Sequence, residues 1–285
     1  MDYLVVQWEA AKERYYQSLQ NSDPRTKDWF LMQSPWPMLA LFAGYLVMCA
    51  VGPRLMRNRK PFELNLVMIV YNLVMVGLSL HMFMELFLST RALNFAYTCD
   101  LVDYEDRSEP GMRLASVIWL YFFSKVIEFL DTFFFILRKK DDQITFLHVY
   151  HHSTMVFLWW IGVRWYAGGS SFFSAMINCF VHVVMYTYYL LSALGPRVRK
   201  YLWWKKYLTG MQLMQFVMLL IHVTQSLYNG CAYDWRPQWA LFFYLLSHIA
   251  LFSNFYRHTY IKPKGNSDGG SDAALQKKAR QKKEQ

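Results

Sequence analysis

The sequence predicts an all-α membrane protein of seven transmembrane helices, and three observations predict it. Hydrophobic residues make up 55% of the 285-residue chain and charged residues 18%, with the charges gathered into short clusters. Between the clusters run seven apolar stretches, each close to the roughly 20 residues that a spanning helix needs. Lys and Arg also alternate from loop to loop, as they do when successive loops lie on opposite faces of one membrane. No room remains for a separate soluble domain, so 35–260 reads as one membrane domain between an N-terminal segment (1–34) and a polar tail (261–285).

Taken in order, 1–34 opens with mixed charge and lacks the apolar core of about 7 to 15 residues that marks a signal peptide. The spans fall at 35–52, 64–89, 114–137, 144–163, 172–194, 208–228 and 239–256. Arg54, Arg57, Arg59 and Lys60 follow the first; Arg138, Lys139 and Lys140 the third; Arg197, Arg199, Lys200, Lys205 and Lys206 the fifth; Lys262 and Lys264 the seventh. These sides read as cytosolic. The loop after the second span is instead acidic, with Asp100, Asp103, Glu105, Asp106 and Glu109. The N-terminus is therefore expected outside and the tail inside.

That topology divides the cysteines. Cys49 and Cys179 lie in spans, whereas Cys99 and Cys231 fall in two loops on the non-cytosolic side, where disulfides persist. A bridge between these two is expected, against the alternative of two unrelated thiols. The net charge of +10 sits at membrane edges and in the low-complexity tail, which points to lipid headgroups or a phosphate-bearing substrate rather than nucleic acid. The tail ends Lys282-Lys283-Glu284-Gln285, which matches a dilysine signal for retrieval to the endoplasmic reticulum.

Polar side chains inside spans are costly, face cavities or partners, and mark function by default. The densest set is QITFLHVYHH (143–152), with His148, His151 and His152. In the third span Lys125, Glu128 and Asp131 share a broad helical face with Thr132, a pattern that also suits a purely structural ion network. In the fifth span Asn178 and His182 are one turn apart and Met185 and Tyr189 continue the stripe. The sixth offers Thr209, Gln212, Gln215 and His222, where helix-to-helix hydrogen bonding competes with substrate contact. His81, His248 and His258 lack such company and read as structural. A neutral imidazole is nucleophilic without first losing a proton, so it can attack a thioester near neutral pH. With Arg138, Lys139 and Lys140 just before the box, a phosphate-bearing acyl carrier would dock at the cytosolic mouth while its chain enters the bundle. No Walker A, GxGxxG or GxSxG motif competes.

KxxExxDT (125–132), QxxFLHxxHH (143–152), NxxxHxxMYxYY (178–189) and TxxQxxQ (209–215) resemble the four signature boxes of the very-long-chain fatty acid elongases, in the right order over nearly the whole chain. Val149 and Tyr150 inside the histidine box, and LMQSPWP at 31–37, look most like the polyunsaturated and very-long-chain branch. The resemblance implies the first step of microsomal elongation, in which acyl-CoA and malonyl-CoA give 3-ketoacyl-CoA, CO2 and CoA. It implies helices two to seven around a closed-ended acyl tunnel, and residence in the endoplasmic reticulum membrane. His151 is then the residue that takes the acyl group, with His182 opposite it binding or activating the malonyl unit. His148 and His152 orient the site, Asn178 hydrogen-bonds a carbonyl or oxyanion, Glu128 and Asp131 hold imidazole tautomers, and Lys125 neutralises them. Gln143, Tyr186, Tyr189, Gln212, Gln215, Arg138, Lys139, Lys205 and Lys206 are the expected substrate contacts. No cofactor or metal is implied beyond the two CoA substrates; the expected partners are membrane lipid, the other enzymes of the cycle and a second copy of the chain. Two other classes stay open. A di-iron desaturase or hydroxylase also uses HxxHH but needs several such boxes, and a seven-helix receptor or transporter leaves the box and the dilysine tail unexplained.

Overall fold

A computed structural model describes residues 2–231 and 235–261, and among these every regular element is helical. The long helices are α1 (Asp2–Gln20), α2 (Pro35–Met56), α3 (Asn65–Ala92), α4 (Glu109–Ile127), α5 (Phe129–Leu137), α6 (Phe146–Trp165) and α7 (Ser171–Ala193). A short α8 (Pro196–Arg199) precedes α9 (Lys205–Tyr228) and α10 (Trp235–Tyr256). Five of them, α2, α3, α7, α9 and α10 with its continuation to Ile261, are long and apolar enough to cross a membrane. The other two expected spans are helical as well. One is interrupted between α4 and α5, and the other, α6, carries three histidines and Arg164.

Local sequence sets the boundaries. Ser34 and Ser108 cap α2 and α4, accepting from the backbone N–H groups of Trp36 and Gly111, and proline occupies the first turn of each. Ser108 and Pro110 explain why the third expected span begins at 109 rather than 114. Past Glu128 the helix tightens: Glu128 N still bonds Ser124 O four residues back, but Asp131 N bonds Glu128 O only three residues back. This single residue divides α4 from α5, a local departure from the α pattern of the kind that often sits at functional positions.

The bundle exposes large apolar side chains and buries polar and charged ones within its apolar core. Leu55, Leu66, Leu73, Val74, Ile221 and Phe243 are exposed, while Asn72, Ser79, Lys125, Glu128, Asp131, Asn178 and His182 are buried. Apolar surface outside and polar groups inside is the arrangement that lipid as solvent selects. Lipid tails are as apolar as leucine, so packing rather than water exclusion joins the helices. The main core interleaves Ile118, Tyr121 and Phe122 of α4 with Val156 and Trp160 of α6 and with Phe172, Ala175 and Cys179 of α7.

The neighbours form a ring. α4 packs on α3, α3 on α7, α7 on α9 and α9 on α10, while α4 also packs on α6. Side chains of α10 return to α6, with Ser247 Oγ 2.9 Å from Tyr150 OH and Tyr244 OH 2.9 Å from Thr154 Oγ1. α2 lies against α5 and α6, outside this ring.

The segment before α2 is built into the structure, which its mixed-charge sequence did not announce. Asp23 and Arg25 form a buried pair at 2.7 Å, Arg25 donates to Ala167 O, and Thr26 donates to Val163 O. Arg164, buried near the end of α6, donates to the carbonyls of Lys27, Met32 and Leu19. At the same end Cys99 and Cys231 are joined by a disulfide, Cα to Cα 5.5 Å. Asp100 caps the backbone N–H groups of Ala96 and Tyr97, and its own carbonyl accepts from Ser170 N.

Candidate active site

The buried polar residues of α4, α5 and α7 meet around Glu128. Its Oε1 accepts from Lys125 Nζ at 2.8 Å and lies 3.3 Å from Nδ1 of His182. Lys125 Nζ also donates to Asn178 Oδ1 at 3.0 Å, and Tyr121 OH donates to that same oxygen at 2.5 Å. The ammonium sits over the Tyr121 ring at 4.4 Å. A charge this deeply buried is tolerated because it is paired and hydrogen-bonded on several sides. With both donors spent on Oδ1, the Asn178 amide is oriented so that its NH2 group is the end left to donate.

The histidine box occupies the first two turns of α6, each imidazole half-buried. Three different contacts hold it. His148 Nε2 is 2.7 Å from Thr132 Oγ1, which is in turn 3.1 Å from Tyr45 OH. His151 Nδ1 is 3.3 Å from His248 Nε2. The His152 ring stands 4.3 Å from that of His148 and 5.5 Å from that of His151, centroid to centroid. Among the described residues no set of three His, Cys, Asp or Glu side chains is arranged to hold a metal ion.

The remaining sequence-predicted residues divide by place. Asp131 meets no imidazole: its Oδ2 accepts from Tyr186 OH at 2.8 Å, so the tautomer role expected of it has no counterpart in its contacts. Tyr186 is fully buried in that bond, whereas Tyr189 is exposed at the rim. Gln143 is exposed on a 3-10 turn (Asp141–Gln143) just ahead of α6. Lys139 adopts a left-handed turn after α5 and donates to the carbonyls of Arg57 and Arg59, bracing the first basic loop. Lys206 lies over its neighbour Tyr207 at 4.9 Å, and Arg138 and Lys205 lie at the same basic end. Gln212 approaches Met185 Sδ at 3.5 Å, and the buried Oε1 of Gln215 has no hydrogen-bond partner among the described residues. Lys282 and Lys283 lie outside the described residues.

Sequence reasoning missed Tyr45, Tyr121 and above all His248. Tyr121 precedes Lys125 by one turn and was legible as part of its face. His248 sits in α10, 97 residues from His151, and its helix neighbours Tyr244 and Ser247 carry no sign of that distant partner.

Residues 30–268 match the ELO family, described as GNS1/SUR4. The chain belongs to that family. It is 50% identical over 248 residues to very long chain fatty acid elongase 4 of Mus musculus, covering 87% of this chain and 79% of the relative. It is 45% identical over 259 residues to very long chain fatty acid elongase 1 of Homo sapiens, covering 90% and 92%. With very long chain fatty acid elongase 7 of Rattus norvegicus the identity is 44% over 257 residues, covering 87% and 90%.

Proposed function

We propose that this chain is the condensing enzyme of fatty acid elongation, a 3-ketoacyl-CoA synthase that joins a long-chain acyl-CoA to malonyl-CoA. The observation that carries the reading is the buried Lys125–Glu128–His182–Asn178 cluster in a bundle that also holds the HxxHH box. Membership of a family whose relatives are named fatty acid elongases supports it. The ring from α3 to α10 supports seven spans around an acyl tunnel, with the basic loops cytosolic and Cys99 and Cys231 lumenal.

In the chemistry we infer, a histidine nitrogen attacks the thioester carbonyl, the C–N bond forms, and the C–S pair leaves with CoA. His151 is the nucleophile. Malonyl-CoA then loses CO2, its enolate carbon attacks the acyl-imidazole, and the C–N pair returns to the ring. His182, oriented through Nδ1 by Glu128, faces this second half, and the Asn178 NH2 stabilises the oxyanion. Arg138, Lys139, Lys205 and Lys206 offer positive charge for the CoA phosphates at the mouth. From the branch resemblance the substrates are polyunsaturated chains of roughly C18 to C22 or longer, favoured by tunnel shape by a few kcal/mol at most. Endoplasmic reticulum residence and partnership with the other cycle enzymes belong to the same proposal, and no cofactor beyond the CoA substrates is required.

The test is to incubate purified protein with a panel of acyl-CoAs, with and without malonyl-CoA, following products and intact protein mass. Acyl-CoA alone should release CoA and add one acyl mass at His151. His151→Ala should lose adduct and product, and His182→Ala should lose chiefly the condensation. Wild-type activity in His151→Ala, or chelator-sensitive turnover with stoichiometric metal and no adduct, would overturn the nucleophile assignment. Equal or better turnover of palmitoyl-CoA would overturn the branch alone.

A further inference from the structure

We propose that His248 is a positioning residue that fixes His151 in the tautomer with Nδ1 protonated and Nε2 bearing the free lone pair. This rests on the reading of His151 as acyl acceptor. The inference follows from a chain of contacts whose one end admits a single role. His248 Nδ1 lies 3.0 Å from the backbone carbonyl of Tyr244, one turn earlier in α10, and a carbonyl oxygen only accepts. The proton of His248 is therefore on Nδ1, and its Nε2 is an acceptor. That Nε2 is 3.3 Å from His151 Nδ1, which must then be the donor. In a neutral imidazole one nitrogen carries the proton and the other the lone pair, so His151 Nε2 is the nucleophile.

Neighbouring groups agree with this assignment. Ser247 Oγ lies 3.5 Å from His248 Nδ1, but its hydroxyl donates to the same Tyr244 carbonyl at 2.7 Å and so does not compete for the ring nitrogen. The His248 ring is fully buried, with the ring centroids of Tyr244, Tyr150 and Phe216 at 4.2, 5.2 and 5.2 Å. It cannot turn without displacing three aromatic side chains. When Nε2 of His151 attacks the thioester carbon and the C–S electron pair departs with the CoA sulfur, the ring gains one positive charge. Nδ1–H then shares that charge with the waiting lone pair of His248.

The experiment uses full-length protein and has two parts. In the first, ¹⁵N-histidine spectra of wild type, with the His151 signals assigned by their loss in His151→Ala, report which nitrogen is protonated. Nδ1–H with a bare Nε2 is expected; a proton resident on Nε2 overturns the proposal. In the second, acyl-CoA alone is mixed with His248→Leu and His248→Gln. Leu removes the acceptor and should slow CoA release at least about 100-fold, as wrong-tautomer and supporting-shell changes do elsewhere. Gln returns an acceptor oxygen and should recover most of the rate, which a merely structural role would not predict. Condensation from preformed adduct should be affected far less than acylation. Wild-type acylation by folded His248→Leu overturns the proposal. If His248→Leu fails to fold, the wild-type spectrum still decides. If wild type forms product but never an adduct, the acyl-acceptor reading fails, while the His151 tautomer still tests this one.

Discussion

Nδ1 of His182 stands 3.3 Å from Oε1 of Glu128, and that same oxygen accepts from Lys125 at 2.8 Å. The carboxylate thus holds the imidazole by one nitrogen while the ammonium offsets its charge. Glu128→Gln should leave Lys125 buried without its counter-ion, a change that costs about 3–5 kcal/mol in comparable sites. Adding Lys125→Met to Glu128→Gln should recover much of that stability in thermal unfolding. It should not recover turnover, because the amide oxygen still accepts from the imidazole but no longer carries the charge that holds and offsets it. Restored activity in the double variant would reduce Glu128 to a structural ion partner.

Asn178 gives a sharper chemical test, since its Oδ1 is occupied by Tyr121 and Lys125. Asn178→Asp keeps the shape and replaces the free NH2 donor by an oxygen. Turnover should fall by about 10² to 10³, the usual loss on removing one oxyanion donor. Lys125 already neutralises Glu128, so the second buried carboxylate should also lower the unfolding midpoint, and turnover is to be compared at a temperature where both proteins are folded. Near-normal kcat would show that Asn178 only anchors the α4–α7 contact.

Much of this arrangement was legible because membrane depth makes polar residues conspicuous. His148, His151, His152, Lys125, Glu128, Asn178 and His182 stand out against apolar neighbours, and helical spacing alone put Lys125, Glu128 and Asp131 on one broad face and Asn178 one turn from His182. Partner choice was not legible. Glu128 and Asp131 are three residues apart and chemically alike, yet one meets His182 and the other Tyr186, because the helix tightens at Glu128 between them. His248 and Tyr45 come from remote helices, and one histidine or one of 20 tyrosines carries no local mark of its partner. The docking of 21–34 depends on Arg164 at the far end of α6, a contact 132 to 137 residues away in sequence.

Backbone geometry makes a second prediction away from the chemistry. Gly169 has φ +52°, and a Cβ there would lie 2.6 Å from Asp100 O and 2.9 Å from Val102 N. Both neighbours are backbone and cannot swing aside. Gly169→Ala should therefore destabilise the protein by about 1–3 kcal/mol, the cost of a strained backbone residue. Thermal unfolding should register it while the acyl-CoA panel keeps its rank order. An unchanged midpoint would mean that the loop at 94–106 shifts freely against the start of α7.

For residence, the tail offers a direct test. If Lys282 and Lys283 are read as a retrieval signal, Lys282→Ser with Lys283→Ser should let part of the protein leave the endoplasmic reticulum in cells, seen by imaging and by glycan maturation on a lumenal tag. An unchanged distribution would place retention in the spans or in partner enzymes.

The Cys99–Cys231 bridge ties the loop after α3 to the segment after α9, across a sequence separation of 132 residues. Cross-linking so long a loop removes conformational freedom mainly from the unfolded chain, and loss of a native disulfide typically costs about 2–5 kcal/mol. Cys99→Ser with Cys231→Ser should lower the thermal midpoint but leave the catalytic helices in place, so kcat at low temperature should persist. On the proposed topology the bridge lies on the lumenal, oxidising side, where disulfides persist. Non-reducing peptide mapping should recover the two cysteines in one linked fragment, and a membrane-impermeant thiol label applied to the cytosolic face should miss both even after mild reduction in sealed microsomes. Two free thiols would remove the bridge. Cytosolic labelling of either one would invert the topology and, with it, the placement of the basic mouth.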